Sequence, residues 1–199
     1  MHRGRQIAAL AILLLATCSA RSSTALEALG RLRAKLAVEP VTDISLAQLA
    51  GQYTSSSDEL RRRVGPFLSG NDLYLFPDGT YIYCEWADIE PVTVHDKGAW
   101  GLRDGLLELK PSADVTWKTD LEREYIIVRR VSRPDEIVLV GAKRDLSYFE
   151  QHAGHDPELM LLIVSRVRSI PITPNESAKL KAKLMREGWR PKYFRDPAK

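Results

Sequence analysis

Between Leu73 and Ala142 apolar and polar residues alternate with the period of a pleated strand, and turn residues interrupt the alternation at short intervals. Leu73 to Phe76 and Thr80 to Trp86 flank Pro77-Asp78-Gly79. Lys97 to Arg103 and Leu106 to Lys110 flank Asp104-Gly105, and Arg123 to Val131 and Glu136 to Ala142 flank the turn Ser132 to Asp135. An Asp-Gly pair supplies the positive φ of a tight hairpin, and β-branched and aromatic flanks suit a half-buried pleat. Val115 to Lys118 reads as a weak further strand. Three consecutive hairpins predict an antiparallel meander, which must close or be covered because open edges pair with other chains. The expected fold class is mainly β (α+β), an antiparallel meander forming a barrel or strongly curved sheet with N-terminal and C-terminal helices.

Outside the meander the apolar spacing turns helical. Leu26, Leu29, Leu32 and Leu36 share one side of a helix over Thr24 to Ala37, with Thr24 and Glu27 as a capping box and Glu39-Pro40 as its end. Ser45 to Ala50 reads as a short helical turn running into a strand at Gly51-Gln52-Tyr53. Thr54 to Arg63 is loop or short helix. Leu146 to Phe149 reads as helical or irregular, and Leu159 to Ile170, rich in β-branched residues, as another strand. For the last segment, "AKLKAKLM" alternates like a strand, yet Thr173-Pro174 with Glu176 is a helix start. Pro174 to Glu187 is therefore expected to be helical. These elements suggest an export signal over 1–20, a helix and linker over 21–42, a β domain over 43–170 and a helix with basic tail over 171–199.

The first segment fixes the expected compartment. His2, Arg3 and Arg5 precede an apolar run from Ile7 to Ala16, too short for a permanent membrane helix and fitting an export signal. "LATC", ending at Cys18, is similar to the lipobox of bacterial lipoproteins, with Thr17 in place of the usual Gly, Ala or Ser. Lipidation at Cys18 would anchor the chain to a membrane, whereas cleavage after Ala20 or Ala25 would release it. Loss of Arg3 and Arg5 lowers the net charge from +3 to about +1, which gives no argument for nucleic-acid binding. Of the two cysteines, Cys84 is left without a partner once Cys18 is modified or removed, so stability falls to a packed core.

Candidate chemistry is sparse. His152 and His155, near Glu150, Asp156 and Glu158, offer imidazoles and carboxylates that zinc or iron would take, but Gly154 and Pro157 make this a turn. His95 and Asp96 are strand neighbours that point to opposite faces. Asp114, Asp120, Glu122 and Glu124 are the available carboxylates for a hydrolytic pair. Cys84 reads as a small core thiol. No nucleophile stands beside an evident base, and no cofactor is indicated. The aromatic residues of the hairpins, Tyr81, Tyr83, Trp86, Trp100 and Trp117, are the candidate ligand-binding set. Tyr81 and Tyr83 share one face of their strand, and Ile82, Cys84 and Trp86 the other. Such rings either fill a small barrel or line a cavity for one apolar ligand.

Gly51-Gln52-Tyr53 after a short helical segment is similar to the Gly-x-Trp that opens the first lipocalin strand. "LYLFPDGTYIY" followed by "KGAWGLRDGLLELK" resembles the hairpin text of lipocalin-like exported bacterial proteins, over roughly Gly51 to Ala142. The resemblance implies a ligand-holding β domain and says almost nothing of activity. The leading expectation is a non-enzymatic envelope protein, periplasmic or held at the outer membrane, that binds a small apolar ligand or a partner protein. The alternatives are a metal-dependent or carboxylate-based hydrolase, and an anchored surface-binding protein using its basic C-terminal helix.

Overall fold

The computed structural model describes residues 26–186 except Asp43, Thr116, Trp117, Lys118, Asp120 and His155. Eight antiparallel strands follow one another up and down: β2 (Gly51–Thr54), β3 (Ser69–Leu75), β4 (Thr80–Ala87), β5 (Glu90–Arg103), β6 (Leu106–Pro111), β7 (Glu124–Arg130), β8 (Arg133–Gly141) and β9 (Arg166–Pro171). The last pairs with the first, Gly51 opposite Pro171 and Thr54 opposite Val167, and the sheet closes into a barrel. A short strand β1 (Val38–Pro40) lies against β7 beyond the end of β6. Glu39-Pro40, expected to terminate a helix, thus forms a strand instead. Pro40 takes the end of that strand, where its missing N–H removes no central ladder bond.

The three predicted hairpins are present, with positive φ at Gly79 (77°) and at both Asp104 and Gly105 (53° and 79°), as tight turns require. The second hairpin's first strand begins seven residues earlier than expected, at Glu90, and the third's return strand begins at Arg133. Val115 lies outside the strands, and the next three residues of that expected strand are not described.

Helices occupy the outside. Helix α1 covers residues 26–33, α2 Leu46–Leu49, α3 Asp58–Val64, α4 Arg144–His152, α5 Pro157–Val164 and α6 Pro174–Leu184. Leu159 to Ile170, expected as one strand, is divided: α5 runs to Val164 and β9 starts at Arg166. Asp156 accepts from the Leu159 N–H at 2.9 Å and Pro157 occupies the first helical position, so local capping overrides the β-branched composition. The expected start of α6 is present, with the Glu176 carboxylate taking the Thr173 N–H and hydroxyl.

Three apolar clusters follow. Inside the barrel are Tyr53, Leu73, Leu75, Tyr81, Tyr83, Trp100, Leu107, Tyr125, Ile127, Leu139 and their neighbours. On one outer wall, Ile126, Val128, Val138, Val140 and Val167 are covered by α1, α3, α4 and α5 through Leu32, Leu60, Phe149 and Leu161. On another, Tyr74, Phe76, Ile82 and Cys84 are covered by α6 through Leu184 and Leu180. Burial on both faces explains the apolar runs 81–84 of β4 and 137–140 of β8.

Candidate functional site

The alternation of β4 sends Tyr81 and Tyr83 into the barrel, where Trp100 of β5 joins them; all three are at most 5% exposed. Each polar end finds a partner. The Trp100 indole donates to the Phe76 carbonyl at 3.0 Å, and the Tyr83 hydroxyl to Glu85 at 3.1 Å. Tyr53 donates to the Leu49 carbonyl at 2.7 Å. The same alternation puts Trp86 on the outside of the barrel, where its ring fills the space a side chain at Gly70 would need. Three of the predicted aromatic residues therefore meet inside and one does not. Trp117 and Cys18 lie outside the described residues.

The barrel interior is not uniformly apolar. Toward the end that carries α4, Asp96 Oδ1 accepts from Tyr81, and its Oδ2 meets Arg123 Nη1 at 2.6 Å and the Thr119 hydroxyl at 3.1 Å. Arg166 places its guanidinium 5.7 Å from the centre of the Tyr83 ring and 5.8 Å from that of Tyr125, a cation held against two aromatic faces. Burial pushes the Tyr125 hydroxyl up to about 12, opposed by the Arg166 charge. Burial likewise raises Tyr81 and Tyr83.

On the outer wall beside β2, a groove of about 700 Å³ runs between α3, β9 and the top of β3–β4. The strands furnish its floor with Gln52, Thr54 and Asp72. Asp72 is 8% exposed; its Oδ2 accepts from Gln52 at 3.1 Å while its Oδ1 has no partner. Burial raises its pKa, an effect that Thr54 and Gln52 partly oppose. A buried acceptor left unmatched costs about 1–3 kcal/mol, so this atom marks a place where a donor is missing. Trp86, Phe67 and Ile170 (57% exposed) give the groove apolar surface, and Arg61, Arg62, Arg133 and Arg168 stand around it.

No protein family, curated protein or solved structure matches the chain. The site is therefore read from its own geometry.

What holds the groove's α3 wall in place is an ion cluster that the sequence reading missed. Arg130, whose side chain is 2% exposed, meets Glu59 at 2.6 Å, Glu158 at 3.0 Å and Glu136. It ties α3 and α5 to the β7–β8 hairpin, and Arg133 adds a contact to Glu59 at 3.4 Å. The hydrogen bond from Arg130 holds the Glu59 carboxyl below its usual range. Nothing in the local text around Arg130 marks it as buried; only pairing with β8 does.

The other chemical candidates have structural occupations. Glu158 belongs to the Arg130 cluster, Asp156 caps α5 and meets Arg63 at 3.2 Å, and Glu150 pairs with Arg31. His152 lies exposed on α4, stacked on Tyr148 with ring centres 4.0 Å apart, and His155 is outside the described residues. Among the described residues no three His, Cys, Asp or Glu side chains gather as metal ligands would. Glu122 accepts from the first N–H groups of α4, Glu124 pairs with Lys143 at 3.1 Å, and Asp114 pairs with Lys97 at 2.6 Å; Asp120 is not described. His95 approaches Glu85 at 3.6 Å while its neighbour Asp96 points inward. On α6, Lys181 pairs with Asp78 and lies over the Phe76 ring.

Proposed function

We propose that this is a non-enzymatic exported binding protein, and that its closed barrel is a rigid scaffold for an external groove that seats an amphipathic ligand or a segment of a partner protein. The observation that carries this reading is the groove on β2, β3 and β9, where apolar Ile170 and Trp86 lie beside the partnerless, buried oxygen of Asp72. Its volume falls in the range of small-molecule sites, and its lining is mostly polar and charged, with Phe67, Trp86, Val167 and Ile170 as the apolar part, which suits an amphipathic rather than a purely apolar occupant. The rings of Tyr81, Tyr83 and Trp100 occupy the barrel centre, which favours the groove over an internal apolar ligand. Native mass spectrometry of the protein purified from its own source tests the reading. A co-purifying mass in the wild type that is lost in Ile170→Asp is expected; absence of any bound species or partner sinks it.

A second reading keeps a small apolar ligand. A cleft of about 340 Å³ opens beside the β5–β6 turn and the end of β1, lined mainly by Leu26, Leu29, Pro40, Val41, Ile126 and Ile127. A ligand there would be released by Ile126→Asp rather than by Ile170→Asp.

The eight-stranded meander opened by Gly51-Gln52-Tyr53 supports a likeness to lipocalin-like exported proteins. Residence in the periplasm, or on the outer membrane through acyl chains on Cys18, belongs to the same proposal. Metabolic labelling with a radioactive fatty acid separates the two. Label lost in Cys18→Ser marks the anchored form, and a soluble unlabelled product marks ordinary cleavage.

A further inference from the structure

The wall that carries the groove has a second side. Because successive residues of a strand face opposite ways, Thr54, Asp72 and Val167 line the outer groove, whereas Ser55, Asn71 and Arg166 turn toward a separate cavity of about 310 Å³. It lies at the end of the barrel beneath α4 and the α5–β9 junction, and Arg144, Asp145, Tyr148, Ile163, Val164 and Ser165 complete it. The two spaces share no lining residue.

This cavity collects unmatched polar atoms. Asn71 Oδ1, Asp145 Oδ2, Ser165 Oγ and Arg166 Nε are all buried without a hydrogen-bond partner, and all four residues line it. Ser165 is 1% and Arg166 7% exposed. Native proteins match nearly all such groups, so their accumulation around one space signals a missing occupant. The charges of Arg166 and Asp145 answer each other only at a distance, without a direct ion pair. Arg166 touches Tyr125 at 3.4 Å and two aromatic rings, but no described carboxylate lies within ion-pair distance of it. Asp145 approaches Arg144 at 3.7 Å through its other oxygen, and the Arg166 charge and the Gly141 backbone also favour its ionised form.

The geometry points to a binding site for a small zwitterion that carries a carboxylate and an ammonium on a short spacing, the chemistry of a free α-amino acid. The cationic Arg166 and the Ser165 hydroxyl take the carboxylate, and Asp145 and the Asn71 carbonyl oxygen take the ammonium. Tyr148, 49% exposed, and Ile163, 44% exposed, form an outer lip for the ligand's side chain. A neutral polyol would leave the fixed Arg166 charge without a direct ion pair, and a simple dicarboxylate would repel Asp145. The site is independent of the outer groove and stands whether or not a ligand binds there.

The experiment is isothermal titration of the full chain at neutral pH, together with thermal melting, using L-alanine, L-leucine, N-acetyl-L-alanine, L-alaninamide, L-lactate and glycerol at millimolar concentration. Binding by the two free amino acids is expected, with a raised melting temperature. Blocking either the amine or the carboxylate, or replacing the amine by hydroxyl, is expected to weaken binding by about tenfold or more, the usual consequence of losing a charge-assisted pair. Asp145→Asn, nearly isosteric, and Ser165→Ala are expected to weaken amino-acid binding with an unchanged circular dichroism spectrum. The proposal is overturned if no free amino acid binds and the cavity holds water only. It is equally overturned if the blocked derivatives bind as well as the zwitterions, or if both folded variants bind like the wild type.

Discussion

Tyr81 donates its hydroxyl hydrogen to Asp96 at 2.8 Å inside the barrel, and both residues are 1% exposed. The pair holds β4 to β5 near a bulge, where the register shifts between Tyr83 and Cys84, and Arg123 joins it to the start of β7. Removing one partner of a buried hydrogen bond to a charged group leaves the other unsatisfied. Tyr81→Phe is therefore expected to cost about 1–3 kcal/mol in urea unfolding. Tyr83→Phe is expected to cost less, because Glu85, its acceptor, is half exposed and water replaces the bond. Equal losses would show that the buried Asp96 network contributes nothing beyond an ordinary surface contact.

The Arg130 cluster predicts an acid-sensitive wall. Arg130→Ala would leave Glu59, Glu136 and Glu158 close together without their shared cation, a change expected to cost roughly 3–5 kcal/mol. The pH dependence follows from Glu59. Its carboxyl is held below the ordinary value by the Arg130 hydrogen bond, so the folded state prefers it ionised. The stability it gives is present above the unfolded carboxylate value of about 4.3 and is lost as pH falls through the lower folded value. The urea midpoint should fall on acidification below that point, and less steeply in Glu59→Gln. An identical acid profile in that variant would remove Glu59 from the account.

How much of this was legible depends on whether the cause was local. The Asp78-Gly79 and Asp104-Gly105 hairpins were readable because their backbone demands are written in two residues. So was the alternation that separates Tyr81 and Tyr83 from Ile82 and Cys84. The break at Ser165 had a local cause in Asp156-Pro157, a helix start that read as part of a turn while the β-branched Ile163, Val164 and Val167 suggested a strand. Closure was not legible, since nothing near Gly51 says that it will lie opposite Pro171. The candidate sites depend on that closure: Asp72, Asn71 and Arg166 are ordinary surface-type residues until β2, β3 and β9 are brought together. Buried Arg130 was hidden for the same reason.

Gly98 marks a tight crossing. It lies opposite Tyr81 on one side and Pro111 on the other, and a methyl group there would sit 2.0 Å from the Lys110 carbonyl oxygen. The obstacle is backbone, which cannot rotate away as a side chain would. Gly98→Ala is expected to destabilise by about 2 kcal/mol or more, toward the upper end of overpacking effects. Gly101→Ala on the same strand, where nothing lies within 4 Å of the added carbon, is the control and should change stability little. A thermal melt of the two variants decides it.

Cys84 offers a probe of barrel opening. It is fully buried on the outer face of β4 under α6, and burial, reinforced by the nearby Asp72 charge, raises its thiol pKa well above the ordinary range. Only the thiolate reacts, so both access and ionisation protect it in the folded state. In a Cys18→Ser variant, leaving Cys84 as the sole thiol, modification by a disulfide reagent near pH 8 should be far slower than for a free cysteine of pKa about 8.5. The rate should rise with urea, because labelling then requires α6 to detach or the barrel to open. Leu184→Ala, which thins the α6 cover, should accelerate labelling with little change in the barrel's own unfolding. Rapid modification of the native protein, at the rate of an exposed thiol, would mean that α6 does not seal this wall.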